Sequence, residues 1–206
     1  MKVERKVLCR GERVIIRPFQ RSDVDAWQGW PYHEDPLYAA QEPILAGTRE
    51  RDLWYLDRAN RTDYWMYAVD DEQGRMIGWF SLRKIDPLLG GSVLGITFSP
   101  GIVGRGYGTD TLVAFLGYYF GEMGFRRMYL DVAAYNFRAR RCYEKSGFRY
   151  IGFHWGDHYG PNPYTDKRYL HLSWAFRRDI FGRVLCLYHD MAVTAEEFET
   201  RWDCKR

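Results

Sequence analysis

"IVGRGYGTDTL", residues 102–112, sets glycines at 104, 106 and 108, with the apolar run "VLGITFSP" before it and a helix pattern behind it. Glycine weakens regular structure, so three of them at a strand-to-helix junction serve either a tight turn or a close approach to the backbone. A strand, a glycine turn and a helix start also make an anion site, because the first helical N–H groups point outward and the helix dipole adds positive potential. Two familiar phosphate loops do not fit. A Walker loop needs Lys then Ser or Thr after its last glycine, and alternate glycines are not G-x-G-x-x-G. Taken alone, the glycines read as a turn or helix start.

On the upstream side, "YWMYAVD", "EQGRMIGWFSLRKI" and "SVLGITFSP" are strand patterns separated by the turn signals "DEQG" and "DPLLGG", an antiparallel meander. Before them, "ERVIIRPF" reads as a strand stopped by Pro18. Ser22 then reads as the N-cap of a helix carrying Val24, Trp27 and Trp30. Residues 31–47 hold three prolines and read as irregular, and a second helix begins at Thr48 with Leu53, Trp54 and Leu56 toward one face. Downstream of the glycines, Leu112, Phe115, Leu116, Tyr119 and Phe120 form the stripe of an amphipathic helix ending near Gly124. "RMYLDVAAY" is a strand, and "NFRARRCYEKSGF" is a helix capped by Asn136 and closed by Gly147. "RYIGFHW" and "KRYLHLSWAF" read as two further strands. The order β-α-α-β-β-β-α-β-α-β-β gives an α+β domain with a mixed sheet.

The 206-residue chain suits one generous domain, and at 46% hydrophobic it can bury a sizeable core. A net charge of only +3, with dispersed basic residues, argues against nucleic acid as a partner. Cys9, Cys142, Cys186 and Cys204 lie far apart with no C-x-x-C pair, so neither a metal site nor a disulfide framework follows; free thiols in a reducing cytoplasm are expected. The charged N-terminus is not a signal peptide, and no apolar run approaches membrane-spanning length.

"FSPGIVGRGYGTDTL" followed by "YLDVAAYNFRARRCYEKSGF" resembles the GNAT superfamily of N-acetyltransferases. Gly106 and Gly108 match the superfamily's Q/R-x-x-G-x-G/A loop, with Val103 where Gln or Arg is expected. Asn136, Ala139, Tyr143, Gly147 and Phe148 match N-x-x-A-x-x-x-Y-x-x-x-G-F in full. The overall layout is similar to the ribosomal-protein N-acetyltransferase branch. The resemblance implies a mainly antiparallel mixed sheet flanked by helices, with two parallel strands splayed apart around acetyl-CoA. It implies that the pantetheine arm pairs along Thr97 and Phe98, and that the N–H groups of Val103, Gly104, Arg105, Gly106, Tyr107, Gly108 and Thr109 meet the pyrophosphate. Asn136, Ala139 and Tyr143 complete the implied cofactor site. The Phe98 N–H would polarise the thioester carbonyl, and Tyr143 would meet the departing thiolate.

The implied reaction is direct attack of an amine on the thioester, and the amine must be neutral. A lysine-like amine of pKa ~10.4 costs about 4.6 kcal/mol to neutralise at pH 7, an α-amine of ~7.7–8.0 only about 1 kcal/mol. Some relatives in the resembled branch carry a Glu base two residues before a glycine in the strand before the loop; here Val93 stands there. Glu42 is the nominated substitute, with Glu34, Asp35, His154, Asp157 and His158 as further candidates. With Trp30, Tyr32, Trp155 and Tyr159 they suggest an acidic, aromatic mouth for a cationic amine, either a small molecule or a peptide N-terminus. A non-catalytic sensor of acyl-CoA or amine, and a nucleotide-binding domain of another class, are the alternatives.

The domain implied by the resemblance occupies residues 1–178 if "KRYLHLSWAF" is its last strand; "YHDMAVTA" is the competing choice. Residues 179–206 then form an extension. Its Ile180, Val184, Leu185, Tyr188 and Met191 fit one helical face, and Thr194 with Glu197 fits a capping box. An apolar stripe outside a finished domain packs on that domain or on a second chain, so a homodimer is expected.

Overall fold

The alternating apolar residues of the central segments build a single sheet in the computed structural model, which describes residues 6–39, 45–86 and 88–202. Its strands are β1 (Cys9–Arg10), β2 (Val14–Pro18), β3 (Tyr64–Asp71), β4 (Met76–Asp86), β5 (Gly91–Phe98), β6 (Arg127–Ala133), β7 (Arg149–Asp157), β8 (Phe176–Arg178) and β9 (Val184–Thr194). They lie in the order β1-β2-β3-β4-β5-β6-β9-β7, with β8 paired to β9. Among the described residues β5 and β6 are the parallel pair and the other neighbours are antiparallel. The helices are α1 (Arg21–Gln28), α2 (Pro36–Ala39), α3 (Thr48–Ala59), α4 (Tyr107–Gly121), α5 (Phe137–Lys145) and α6 (Ala195–Trp202). A mixed, mainly antiparallel α+β sheet with one splayed parallel pair is the architecture read from the sequence.

Successive strand residues point to opposite faces, and β4 shows which layer covers each. Phe80 joins a cluster with Leu112, Phe115, Leu116 and Tyr119 of α4, and α6 adds Phe198. Its neighbour Trp79 joins Phe19, Val24 and Trp27 of the α1 region and Trp54 of α3. The α4 stripe is buried as expected. In α3 only Trp54 is buried, while Leu53 and Leu56 are exposed. Ser22 does not cap α1. Gln20 stands at the N-cap and donates its N–H to Asp23 at 2.6 Å. Asp23 and Asp70 both grip the buried guanidinium of Arg17, at 2.7 Å each, which ties α1 to β2 and β3.

Two readings of the C-terminal third are corrected. "KRYLHLSWAF" is not the last strand: Leu170–Ala175 forms a 3-10 helix and only Phe176–Arg178 is extended. The stretch taken as an apolar helical face is β9, inserted between β6 and β7 over eleven residues. A strand with neighbours on both edges and cover on both faces carries apolar residues on each face, and such a run also satisfies helical spacing. Cys186, Met191, Ala192, Val193 and Phe198 are buried within this chain. Of the stripe that suggested a second chain, Met191 is buried, Val184, Leu185 and Tyr188 are half-buried, and Ile180 lies outside β9 and is exposed. The capping box forms as read, Thr194 N–H to Glu197 at 3.1 Å and Glu197 N–H to the Thr194 hydroxyl at 3.2 Å.

Candidate functional site

The β5–β6 ladder holds only three residue pairs, Gly91↔Arg127, Ser92↔Met128 and Val93↔Tyr129. Beyond Val93 the strands part, leaving a fork. Ser99 N–H donates to the Ile77 carbonyl at 2.9 Å. Partners alternate along an antiparallel strand, so Leu94, Ile96 and Phe98 turn their N–H and C=O groups away from β4 and toward the fork, whereas Thr97, expected to pair with the pantetheine arm, turns its backbone to Trp79 of β4. The fork thus has a backbone edge on which an extended ligand can pair.

At the end of β5, Pro100–Ile102 makes one 3-10 turn, and Gly104 and Gly106 follow at φ +83° and +89°. Both angles lie where a side chain is strained, and Gly106 is the N-cap of α4. Gly108 has a different reason. A Cβ there would lie 3.0 Å from Cys142 Sγ and 3.5 Å from the Phe98 ring, so its bareness lets α4 close against α5 and the tip of β5. Arg105 is exposed at the turn, and Thr109 Oγ1 lies 3.5 Å from Cys142 Sγ.

Asn136 caps α5 through its side-chain oxygen, which accepts the Ala139 N–H at 3.1 Å. Gly147, at φ +106°, closes the helix. These motif residues orient α5, and Tyr143 is what α5 delivers. It packs edge-on to Phe148, and burial raises its phenol well above the ordinary value, with the Cys142 thiol and the Asp131 carboxylate adding to the rise. Such a phenol keeps its proton and acts as a hydrogen-bond donor.

The second wall of the fork holds a group that sequence reading missed. Met128, Leu130 and Val132 of β6 are buried against α4, so Tyr129, Asp131 and Ala133 face the other way, toward the α1 and α3 side. Asp131 lies directly opposite Asp190 of β9. Like charges facing across a ladder are destabilising. On the Asp190 side, His154 Nδ1 meets the carboxylate at 2.8 Å and its ring stacks on Tyr188. Arg83 rests its guanidinium about 3.6 Å from where a Gly95 Cβ would sit. The cue available in sequence was a lone Asp at an outward position of β6, and its partner could be found only after β9 was placed.

The candidates for an acidic mouth do not form one group. Glu34 and Asp35 line a cleft of about 540 Å³ with Tyr38, Tyr135, Arg168 and Tyr169, just past the end of β6. Asp35 accepts the Tyr169 hydroxyl at 2.5 Å and the Leu37 N–H at 2.9 Å. His158 is tied to the Pro161 carbonyl at 2.8 Å, Asp157 lies 3.7 Å from Arg183, and Trp155 is covered by Arg177. Trp30 packs into the α1–α3 cluster, while Tyr32 and Tyr159 are exposed. Glu42 lies outside the described residues. Among the described residues no group of three or more His, Cys, Asp and Glu could hold a metal, and no helix is long and apolar enough to cross a membrane.

The sequence matches no curated protein. Solved structures share the fold. A spermidine N-acetyltransferase SpeG from Vibrio cholerae, in complex with CoA and spermine, superposes with a TM-score of 0.69 at 18% identity, over 90% of this chain and 97% of its own. A SpeG chimera of the Vibrio cholerae enzyme and hSSAT gives 0.68 at 19% identity, with the same coverage. At these identities the likeness carries the fold. The family model of the acetyltransferase (GNAT) domain matches residues 13–149, well over half of the sequence, and covers the fork, the glycine turn and α5. The chain belongs to the GNAT acetyltransferase family.

Proposed function

We propose that this chain moves an acetyl group from acetyl-CoA to the primary amine of a small cationic acceptor, by direct attack in the β5–β6 fork. The observation that carries the acceptor class is the Asp131–Asp190 pair on the open wall. The SpeG neighbours, named for spermidine and one of them holding spermine, support the same class. Acetyl-CoA supplies the activated thioester. The backbone edge at Leu94, Ile96 and Phe98 suits the pantetheine arm, and the turn at Val103–Thr109 suits the diphosphate. The Phe98 N–H is assigned to polarise the acetyl carbonyl.

In the resembled branch a Glu would stand at Val93, on the face now occupied by Asp131: Val93 pairs with Tyr129, and Asp131 is the next residue on that face. The carboxylate that draws and deprotonates the amine is thus assigned to the opposite wall of the fork. As the amine nitrogen bonds to the carbonyl carbon it yields its proton toward Asp131, and the C–S bond breaks. Tyr143 donates a hydrogen bond to the leaving sulfur. Glu42 keeps its nomination as a second carboxylate. A peptide N-terminus, the acceptor suggested by the ribosomal-protein branch, is the second reading, since an α-amine needs little help to lose its proton. A cytoplasmic setting rests on the free thiols of Cys9, Cys142 and Cys186. A homodimer is left with the exposed Tyr150, Ile151 and Phe153 of edge strand β7 as support.

Thiol release from acetyl-CoA, followed over a panel of polyamines, aminoglycosides and peptides, tests the reading. Turnover is expected with polyamines, and Asp131→Asn is expected to lose about 10²-fold or more in kcat/KM while CoA affinity is kept. Wild-type rates in that variant would remove Asp131 from the mechanism.

A further inference from the structure

The first hairpin, far from the glycine turn in sequence, is locked onto it. Asp110, in the first turn of α4, accepts the N–H of Glu12 at 2.9 Å and of Arg13 at 2.8 Å. Gly11 makes the seat possible, because a Cβ there would lie 2.3 Å from the Asp110 carboxylate. Arg13 then reaches back over the turn. Its guanidinium lies 4.1 Å over the Tyr107 ring, and its Nη1 donates to the Arg105 carbonyl at 2.9 Å.

A bare carboxylate in the first turn of α4 would repel a phosphate there. Asp110 instead has one backbone N–H on each oxygen, and its anchoring brings a cation to the turn. The bond to Arg105 has a further geometric effect. The Arg105 carbonyl and the Gly106 N–H belong to one trans peptide unit and point opposite ways. The unit runs from the Arg105 Cα to the Gly106 Cα, and Gly106, at φ +89°, gives it soft backbone on one side, so a bond to the Arg105 carbonyl helps to set its direction. Holding the carbonyl toward the hairpin aims the Gly106 N–H away from it.

We propose that Arg13, seated by Asp110, is a positioning residue of the cofactor turn: it orients the Arg105–Gly106 peptide so that the Gly106 N–H donates to the diphosphate of CoA. This rests on the acetyl-CoA reading above. It makes the β1–β2 hairpin part of the cofactor site.

The test compares wild type, Arg13→Gln, Arg13→Lys and Asp110→Asn by calorimetric titration with CoA and by kinetics with two donors, acetyl-CoA and acetyl-pantetheine, which lacks the diphosphate. In Arg13→Gln the Kd for CoA and the KM for acetyl-CoA are expected to rise about tenfold, the scale of one hydrogen bond involving a charged group. Its kcat, its acceptor KM and its rates with acetyl-pantetheine stay within about twofold of wild type, and Arg13→Lys, which keeps a donor for the carbonyl, recovers most of the loss. Asp110→Asn follows Arg13→Gln in direction. An unchanged Kd in Arg13→Gln overturns the proposal, and so does an equal loss with both donors, which marks a general lesion. A wild-type chain that binds no CoA overturns the acetyl-CoA reading and this proposal with it, and that outcome is seen before any variant is compared.

Discussion

The two walls of the fork are built by different means. The proposed cofactor wall comes mainly from one stretch, residues 94–148, the tip of β5, the glycine turn, α4 and α5, with the β1–β2 hairpin seated on its turn. Most of its joints are local, with glycines at positive φ and an Asn cap on Ala139, and one is a Cβ-free contact between the helices at Gly108 and Cys142. The acceptor wall is assembled from distant segments. Asp131 sits on β6, Asp190 on β9 and His154 on β7, while Arg17 of β2 fastens Asp23 of α1 and Asp70 of β3 together. The first wall rests on backbone geometry and apolar packing, the second on charges brought together by the sheet. On the proposed reading the difference has a use: the cofactor is a constant that backbone donors can hold, while the acceptor is chosen by side chains.

Three experiments probe this contrast. The largest effect is expected at the meeting point of the walls. Tyr143→Phe should lower kcat by up to about 10²–10⁴-fold, the usual reach of a proton-handling group, with the Kd for CoA kept. A small change would return Tyr143 to a packing role beside Phe148, and the walls would then work independently.

Arg17→Met comes next. It removes the buried guanidinium that both Asp23 and Asp70 grip, and breaking such a group costs about 3–5 kcal/mol, read as a lower urea midpoint. A loss under about 1 kcal/mol would mean that the ions fastening α1 are no stronger than a surface pair, and the proposed reliance of the acceptor wall on charge would fail.

The smallest effect concerns His189 on β9. Burial lowers its imidazole below the ordinary value, helped by the Arg140 cation on α5 and opposed by Asp190. Tyr150 of β7 packs edge-on against it. The native state therefore favours the neutral ring more than the unfolded chain does. Its stabilising share is complete above the unfolded pKa of ~6.5 and is lost as pH falls through the lower folded value. Urea titrations at pH 8 and pH 5.5 should show a smaller acid-side drop for His189→Gln than for wild type. Equal drops would place the acid sensitivity elsewhere.

The structure of the stretch from β5 to α5 was largely legible because its signals are local. A glycine at positive φ, a cap three residues before its N–H and an apolar stripe at helical spacing each depend on residues within a few positions. Gly108 was read with its neighbours as a phosphate glycine, and the structure adds a packing demand that the sequence did not show, the closeness of Cys142 to where a Cβ would sit. The C-terminal third was misread for the opposite reason. "KRYLHLSWAF" and "VLCLYHDMAVT" are both rich in strand formers, and local propensity does not rank them. β9 wins a place because it can bond along both edges, to β6 and to β7, and bury Cys186, Met191 and Val193.

By itself, then, the sequence determined the family, the order of the central elements and the residues of the glycine turn, because each is written in spacings shorter than one helix or one hairpin. Tertiary structure alone decided which segment fills the gap beside β6, that Asp131 faces Asp190 there, and that Asp110 seats Arg13 on the Arg105 carbonyl. These are contacts between segments far apart in the chain, set by which pairings bury the most surface and leave the fewest polar groups alone, and no local pattern encodes that competition.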